Sequence, residues 1–310
     1  MKILKQIQNA AIVFCLMCLS SHAFAFQEAK QNETPVGPTT VQDSLEASIT
    51  PVVPSKKSKS AKKKKKQPTL LENVLKQSIE KAQFQPPTQD QLRAFETRLI
   101  ATLALKDDWQ QSEPEWEAAG WQLHFDKDSG YLVIAEADQQ RSGRGVYAFR
   151  IQSKTKLVLQ APHRFFDRRT GTIVADLFQQ HDVRAAAWNT VHRKQVDVAH
   201  SSRHFINAFT RAMIAHDSTT TTVQLHGFAN DKKTGASKLA DAIVSDATRF
   251  PGRQARIVTM ELKESFGREA IRLYPLEVRE LGGTKNAQAK LLRSLGTSRF
   301  LHVEMNADFR

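Results

Sequence analysis

From Lys156 onward, short apolar runs rich in β-branched side chains alternate with longer stretches of helical periodicity. The runs predict strands at 156–161, 183–189, 221–226, 255–260 and 299–304, and the helical stretches lie at 171–180, 200–215, 237–245 and 285–295. In the stretch 200–215, Phe205, Phe209, Ala212 and Met213 fall on one face. Alternation of this kind predicts an α/β domain over 156–310 with a mostly parallel central sheet flanked by helices on both faces.

Residues 70–155 read differently. Leu70, Leu71, Val74, Leu75 and Ile79 recur at helical spacing. Thr88 and Gln91 form a capping box ahead of Leu92, Phe95, Leu99, Ile100 and Leu103. The runs 121–125 and 131–135 flank Asp126-Lys127-Asp128-Ser129-Gly130, a hairpin signature, and 146–151 offers a third strand. The expectation is a small α+β N-terminal module leading into the main domain.

The first residues change the compartment. Lys2 and Lys5 precede an apolar stretch from Ala10 to Leu19, and Ala23-Phe24-Ala25 supplies a small-x-small cleavage site, so residues 1–25 read as a signal peptide and the protein as periplasmic or secreted. Both cysteines, Cys15 and Cys18, lie inside that leader. The mature chain would therefore carry no disulfide and no thiolate ligand, leaving His, Asp and Glu to hold any metal.

The formal charge of +13 over 310 residues suggests nucleic acid until it is located. Eight lysines fall between Lys56 and Lys66 and two more in the leader, so the remainder is nearly balanced. With no aromatic-rich RNA-binding pattern and no zinc finger, the sequence gives no support to a specific nucleic-acid partner. Residues 26–69 read as a disordered lysine-rich linker, either a solvated spacer or a tether to anionic envelope polymer.

Three polar residues stand where predicted strands run out. His163 follows Leu157-Val158-Leu159-Gln160-Ala161-Pro162, His226 closes Val223-Gln224-Leu225, and Glu304 closes Leu301-His302-Val303. Ligands of open α/β sheets bind outside the carboxyl ends of the strands, so these groups can converge. His163, Asp167 and His226 are candidate ligands of one Zn²⁺ ion, leaving a coordination position for water. Glu304 is the candidate general base, and Arg193 or Arg310 the candidate for a substrate carboxylate or a developing oxyanion.

A rival set is His200 and His204, four apart on a predicted helix, with His192 and Asp197 nearby. Gly282-Gly283-Thr284-Lys285 lacks P-loop spacing and reads as a turn capping the next helix, and no Gly-x-Ser-x-Gly elbow occurs.

At these residues the chain resembles the zinc carboxypeptidase and N-formylglutamate amidohydrolase-like superfamily, including poly-gamma-glutamate hydrolase-like enzymes. Members carry a histidine and an acidic ligand in a loop after one strand, a second histidine after a later strand, and a catalytic glutamate on a strand near the C-terminus. His163, Asp167, His226 and Glu304 follow that order over residues 156–310. The family's glutamate ligand stands three residues after the histidine, where this chain has Phe166, and its Asn-Arg pair for the substrate carboxylate corresponds to the separated Asn189 and Arg193.

The resemblance implies an exported zinc-dependent hydrolase of an amide or peptide bond, acting on a peptide, γ-glutamyl or other envelope-derived substrate. Two alternatives stand beside it. One is a non-catalytic envelope-binding protein with a degenerate hydrolase fold, and the other a metal-free hydrolase using a histidine and carboxylate pair.

Overall fold

The computed structural model describes residues 67–310 apart from 80–81, 138–140 and 268–269. The predicted signal peptide and nearly all of the lysine-rich linker lie outside the described residues. Helices α1 (Leu70–Ile79), α2 (Gln89–Leu105) and α3 (Glu113–Ala118) come first, and the expected Thr88–Gln91 capping box opens α2. Strands β1 (Trp121–Asp126), β2 (Tyr131–Glu136) and β3 (Val146–Arg150) follow.

Next come β4 (Leu157–Ala161), α4 (Thr170–Gln180), β5 (Ala185–Trp188), α5 (Phe205–His216), β6 (Thr221–Gly227) and the one-turn α6 (Gly235–Lys238). The chain ends with β7 (Ala242–Ser245), α7 (Arg253–Phe266), β8 (Ile271–Leu273), α8 (Ala287–Ser294) and β9 (Phe300–Met305).

Among the described residues, nine strands form one mixed sheet in the order β1-β2-β3-β5-β4-β6-β9-β7-β8. Its centre, β5-β4-β6-β9, is parallel, while β1-β2-β3 is an antiparallel meander whose last strand pairs with β5. The N-terminal hairpin is therefore continuous with the main sheet. At the other edge β7 runs antiparallel to β9 and parallel to β8.

Two expected elements exchange type. The stretch 237–245, expected as helix, contains β7, because Ala242-Ile243-Val244-Ser245 gains two hydrogen-bonded neighbours in the sheet. The stretch 255–260, expected as strand from Ile257-Val258-Thr259, lies inside α7. There Ala255, Val258, Thr259 and Leu262 share the buried face, and Gly267, at φ +57°, ends the helix in the left-handed conformation that glycine adopts without strain.

The strands of the centre split their side chains between two different interiors, since successive residues point to opposite faces. Leu157, Leu159, Ala161, Val223, Leu225, Leu301, Val303 and Met305 enter one apolar core beneath α1, α4 and α7. On the other face, α2, α3 and α5 cover an aromatic core around Phe95, Trp116, Trp121, Tyr147 and Phe209. That second face turns polar along β4, β6 and β9, where Gln160, Gln224, His226, His302 and Glu304 are all buried.

Candidate metal centre

β4 is the point at which strand order reverses, with β5 on one side and β6 on the other, so the carboxyl ends of β4 and β6 flank a crevice. Pro162 ends β4, and the next residues form one tight turn in which the amide of Asp167 donates to the carbonyl of His163 (2.8 Å). Residues i and i+4 of such a turn lie side by side. That explains how Asp167 reaches the same place as His163. His226 arrives from the end of β6, and Glu304 stands opposite it on β9.

Nδ1 of His163 is 3.5 Å from Oδ2 of Asp167, and Nδ1 of His226 is 3.4 Å from the same oxygen. These separations are too long for good hydrogen bonds. They match the edge of a zinc tetrahedron, in which bonds of about 2.0–2.1 Å hold ligand atoms about 3.3–3.4 Å apart. The two imidazole rings stand 4.9 Å apart at 76°, so both can direct an in-plane lone pair at a common point. His163, Asp167 and His226 thus form a compact buried group able to hold a metal ion, and His226, His302 and Glu304 form a second that shares one ring with it.

Two members of the first group are held by further hydrogen bonds. Asp167 Oδ2 accepts the backbone N–H of Gly227 (3.0 Å). Nε2 of His163 lies 2.8 Å from Oδ1 of Asp197, whose other oxygen accepts two bonds from Arg193 (2.7 and 3.0 Å). Burial opposes ionisation of Asp167 and Asp197, yet the imidazoles facing Asp167, and His163 with Arg193 beside Asp197, hold both carboxyls below the usual range. As an ionised acceptor, Asp197 receives a hydrogen bond from Nε2–H of His163 and leaves Nδ1 facing Asp167. Nδ1 of His163 is in fact buried without a hydrogen-bond partner. Burial works against charge on His163, but Asp167 and Asp197 outweigh it and raise its pKa.

His226 behaves oppositely: burial holds it below its ordinary pKa, with Asp167 pulling the other way. Burial also drives His302 well down and pushes Glu304 up to about 8, with Asp167 adding to the latter. Nδ1 of His302 and Oε2 of Glu304 are buried and unpartnered, and the residues line the same cleft of about 510 Å³ as His163. Unsatisfied buried polar atoms are costly, about 1–3 kcal/mol each. Three such atoms, on His163, His302 and Glu304, face this cleft, where a bound ion or water can satisfy them.

The remaining candidates separate. Arg193 lines the cleft, already engaged by Asp197. Asn189 is fully buried, donates to the carbonyls of Pro162 and Val191 and accepts from the amide of Val191, so it clamps the loops after β4 and β5. The Arg310 guanidinium donates to the carbonyls of Asn306, Arg168 and Phe228 and packs on Gly227, where a Cβ would collide with it, so it braces the ligand loops from outside the cleft.

The rival group also dissolves. α5 begins at Phe205, so His200 and His204 share no helix face. His204 caps α5 through Nδ1 and donates from Nε2 to the carbonyl of Gly143, while His200 sits beside Asp197 at 3.0 Å. Sequence reasoning placed Asp197 in that rival group and passed over His302. Period-two alternation was the available signal for His302, since residues 302 and 304 of one strand share a face.

Fold and side chains together define an α/β protein with a buried two-histidine, one-carboxylate group at the switch point of a mixed sheet. No protein-family model, no curated protein and no solved structure matches this chain.

Proposed function

We propose that this protein is an exported hydrolase that cleaves an amide or peptide bond close to a free carboxylate, using one divalent ion, zinc foremost, held by His163, Asp167 and His226. The observation that carries the reading is the pair of 3.4 and 3.5 Å separations around Asp167 Oδ2, which match the edge of a zinc tetrahedron. When bound, such an ion supplies Lewis acidity and a water that ionises near neutral pH.

The chain's own groups supply the rest. Glu304, opposite His226 and free of hydrogen bonds at Oε2, takes a proton from water and returns it to the leaving nitrogen. A carboxyl pushed up to about 8 suits a group that must hold a proton between two steps. Arg193, Lys232, Lys233, Arg279 and Lys285 line the cleft and favour a carboxylate-bearing substrate. The order of residues that resembles the zinc carboxypeptidase and amidohydrolase-like superfamily supports the same chemistry, and envelope-derived or γ-glutamyl peptides suit an exported protein.

The test is hydrolysis of a panel of N-acyl amino acids and γ-glutamyl peptides before chelation, after it, and after zinc is restored. The expected result is turnover that is lost and regained with the metal. Turnover indifferent to chelation would support the metal-free hydrolase, and zinc uptake with no hydrolysis would support the envelope-binding protein.

A further inference from the structure

The two histidines of the candidate site are oriented by different devices, and the one behind His226 can be worked out proton by proton. Nε2 of His226 lies 3.3 Å from Oε1 of Gln224, two residues earlier on the same strand face. Which partner donates depends on which way the Gln224 amide points, and the surrounding amides decide that.

Thr210 donates its hydroxyl proton to the backbone carbonyl of Ile206 (2.7 Å), so its oxygen receives the bond from Gln160 Nε2 (2.8 Å). Gln160 must then present Oε1 to Gln224, which donates to it from Nε2 (2.8 Å). Gln288 donates from Nε2 to the backbone carbonyl of Val198 (3.1 Å), so it too presents Oε1 and accepts from Gln224 Nε2 (2.9 Å). Asn286 accepts the backbone N–H of Ala289 at Oδ1 (3.0 Å), and its amide nitrogen therefore donates to Gln224 Oε1 (2.6 Å).

Three backbone anchors, from α5, from the loop at Val198 and from α8, thus impose one orientation on Gln224. Its nitrogen is spent on two glutamine oxygens, and the atom left for His226 is an acceptor. An amide oxygen has no proton to give.

We propose that Gln224 is a positioning residue that fixes His226 with its proton on Nε2, so that Nδ1 presents a lone pair toward Asp167. This deepens the metal reading and rests on it only for its purpose. Asp197 does the same for His163 with a negative charge, whereas Gln224 does it with a neutral amide that adds no charge to a buried ring. Partners that set ring orientation commonly change metal affinity by about 10- to 100-fold when removed.

The experiment uses metal-free full chain with ¹⁵N-labelled histidine. Long-range ¹H–¹⁵N correlation identifies the protonated ring nitrogen of His226, assigned by loss of its signals in His226→Gln. The expected result is Nε2–H in the wild type, a shift to Nδ1–H or a mixture in Gln224→Leu, and zinc binding about 10- to 100-fold weaker in Gln224→Leu. Nδ1–H in the wild type overturns the proposal without reference to any variant. So does a Gln224→Leu protein with wild-type tautomer and wild-type zinc affinity. A wild type that shows Nε2–H but binds no zinc upholds the assignment to Gln224 and defeats the metal reading instead.

Discussion

Leu225 and His226 are neighbours on β6, both buried, and they belong to two kinds of interior. Leu225 joins Leu159 and Val303 in a core that asks only for volume and exclusion of water. His226 points the other way, beside Gln224, His302 and Glu304, where every donor needs an acceptor and several atoms lack one. In the first core a lost side chain leaves a cavity, costing about 2–5 kcal/mol for a leucine. On the second face the stakes are electrostatic, and the buried atoms His163 Nδ1, His302 Nδ1 and Glu304 Oε2 lack a hydrogen-bond partner. One sheet therefore separates an apolar core from a polar face by alternation alone.

That separation can be broken or sharpened experimentally. The largest effect belongs to Glu304→Gln, which should retain zinc and lose about 10²- to 10⁴-fold in kcat on whichever substrate the hydrolysis panel identifies. Near wild-type turnover would take Glu304 out of proton transfer. On the opposite face of β6, Leu225→Ala should lower stability by about 2–5 kcal/mol in denaturant titrations and leave zinc affinity unchanged. A large loss of zinc affinity there would mean that the two interiors are not independent.

Asp197→Asn should weaken zinc binding by about 10- to 100-fold with little change in melting temperature, because Asp197 is a partly exposed loop residue. A loss of stability with affinity preserved would reassign it to the scaffold.

The smallest effect is a pH dependence remote from the cleft. Burial lowers His204 to about 4, with its bond to the carbonyl of Gly143 opposing, so the folded chain keeps it neutral while the unfolded chain protonates it near 6.5. Between those values the unfolded state binds the extra proton, so stability falls as pH drops from 6.5 toward 4, by at most about 1.4 kcal/mol per pH unit. His204→Asn keeps a helix-capping side chain and should remove that slope. Parallel stability curves for the two proteins between pH 6 and 5 would remove His204 as the source.

Much of this was legible in the sequence for a physical reason. β4, β6 and β9 are buried on both faces, so their apolar runs stand out, and a polar residue at the end of such a run is conspicuous. His163, His226 and Glu304 were found that way, and the structure brings them to one cleft. Asp167 required the turn after Pro162, whose hydrogen bond to His163 cannot be read from spacing.

Local bonding hid the other roles. Asn189 closes a loop and Arg310 braces a backbone, and nothing in their identity distinguishes those tasks from substrate binding. β7 and α7 exchanged type because Leu239, Ala240, Ile243 and Val244 fit a helical stripe, while the β-branched Ile257-Val258-Thr259 imitates a strand. Pairing with β9 settled the first, and the face formed by Ala255, Val258, Thr259 and Leu262 the second.

The central claim is that His163, Asp167 and His226 share one divalent cation. Equilibrium dialysis against zinc, followed by elemental analysis of the wild type, Asp167→Ala and His226→Ala, tests it most directly. The account predicts one tightly bound equivalent in the wild type and loss of it in both variants with the fold intact by circular dichroism. An unchanged equivalent in either folded variant, or no bound zinc in the wild type, would contradict it.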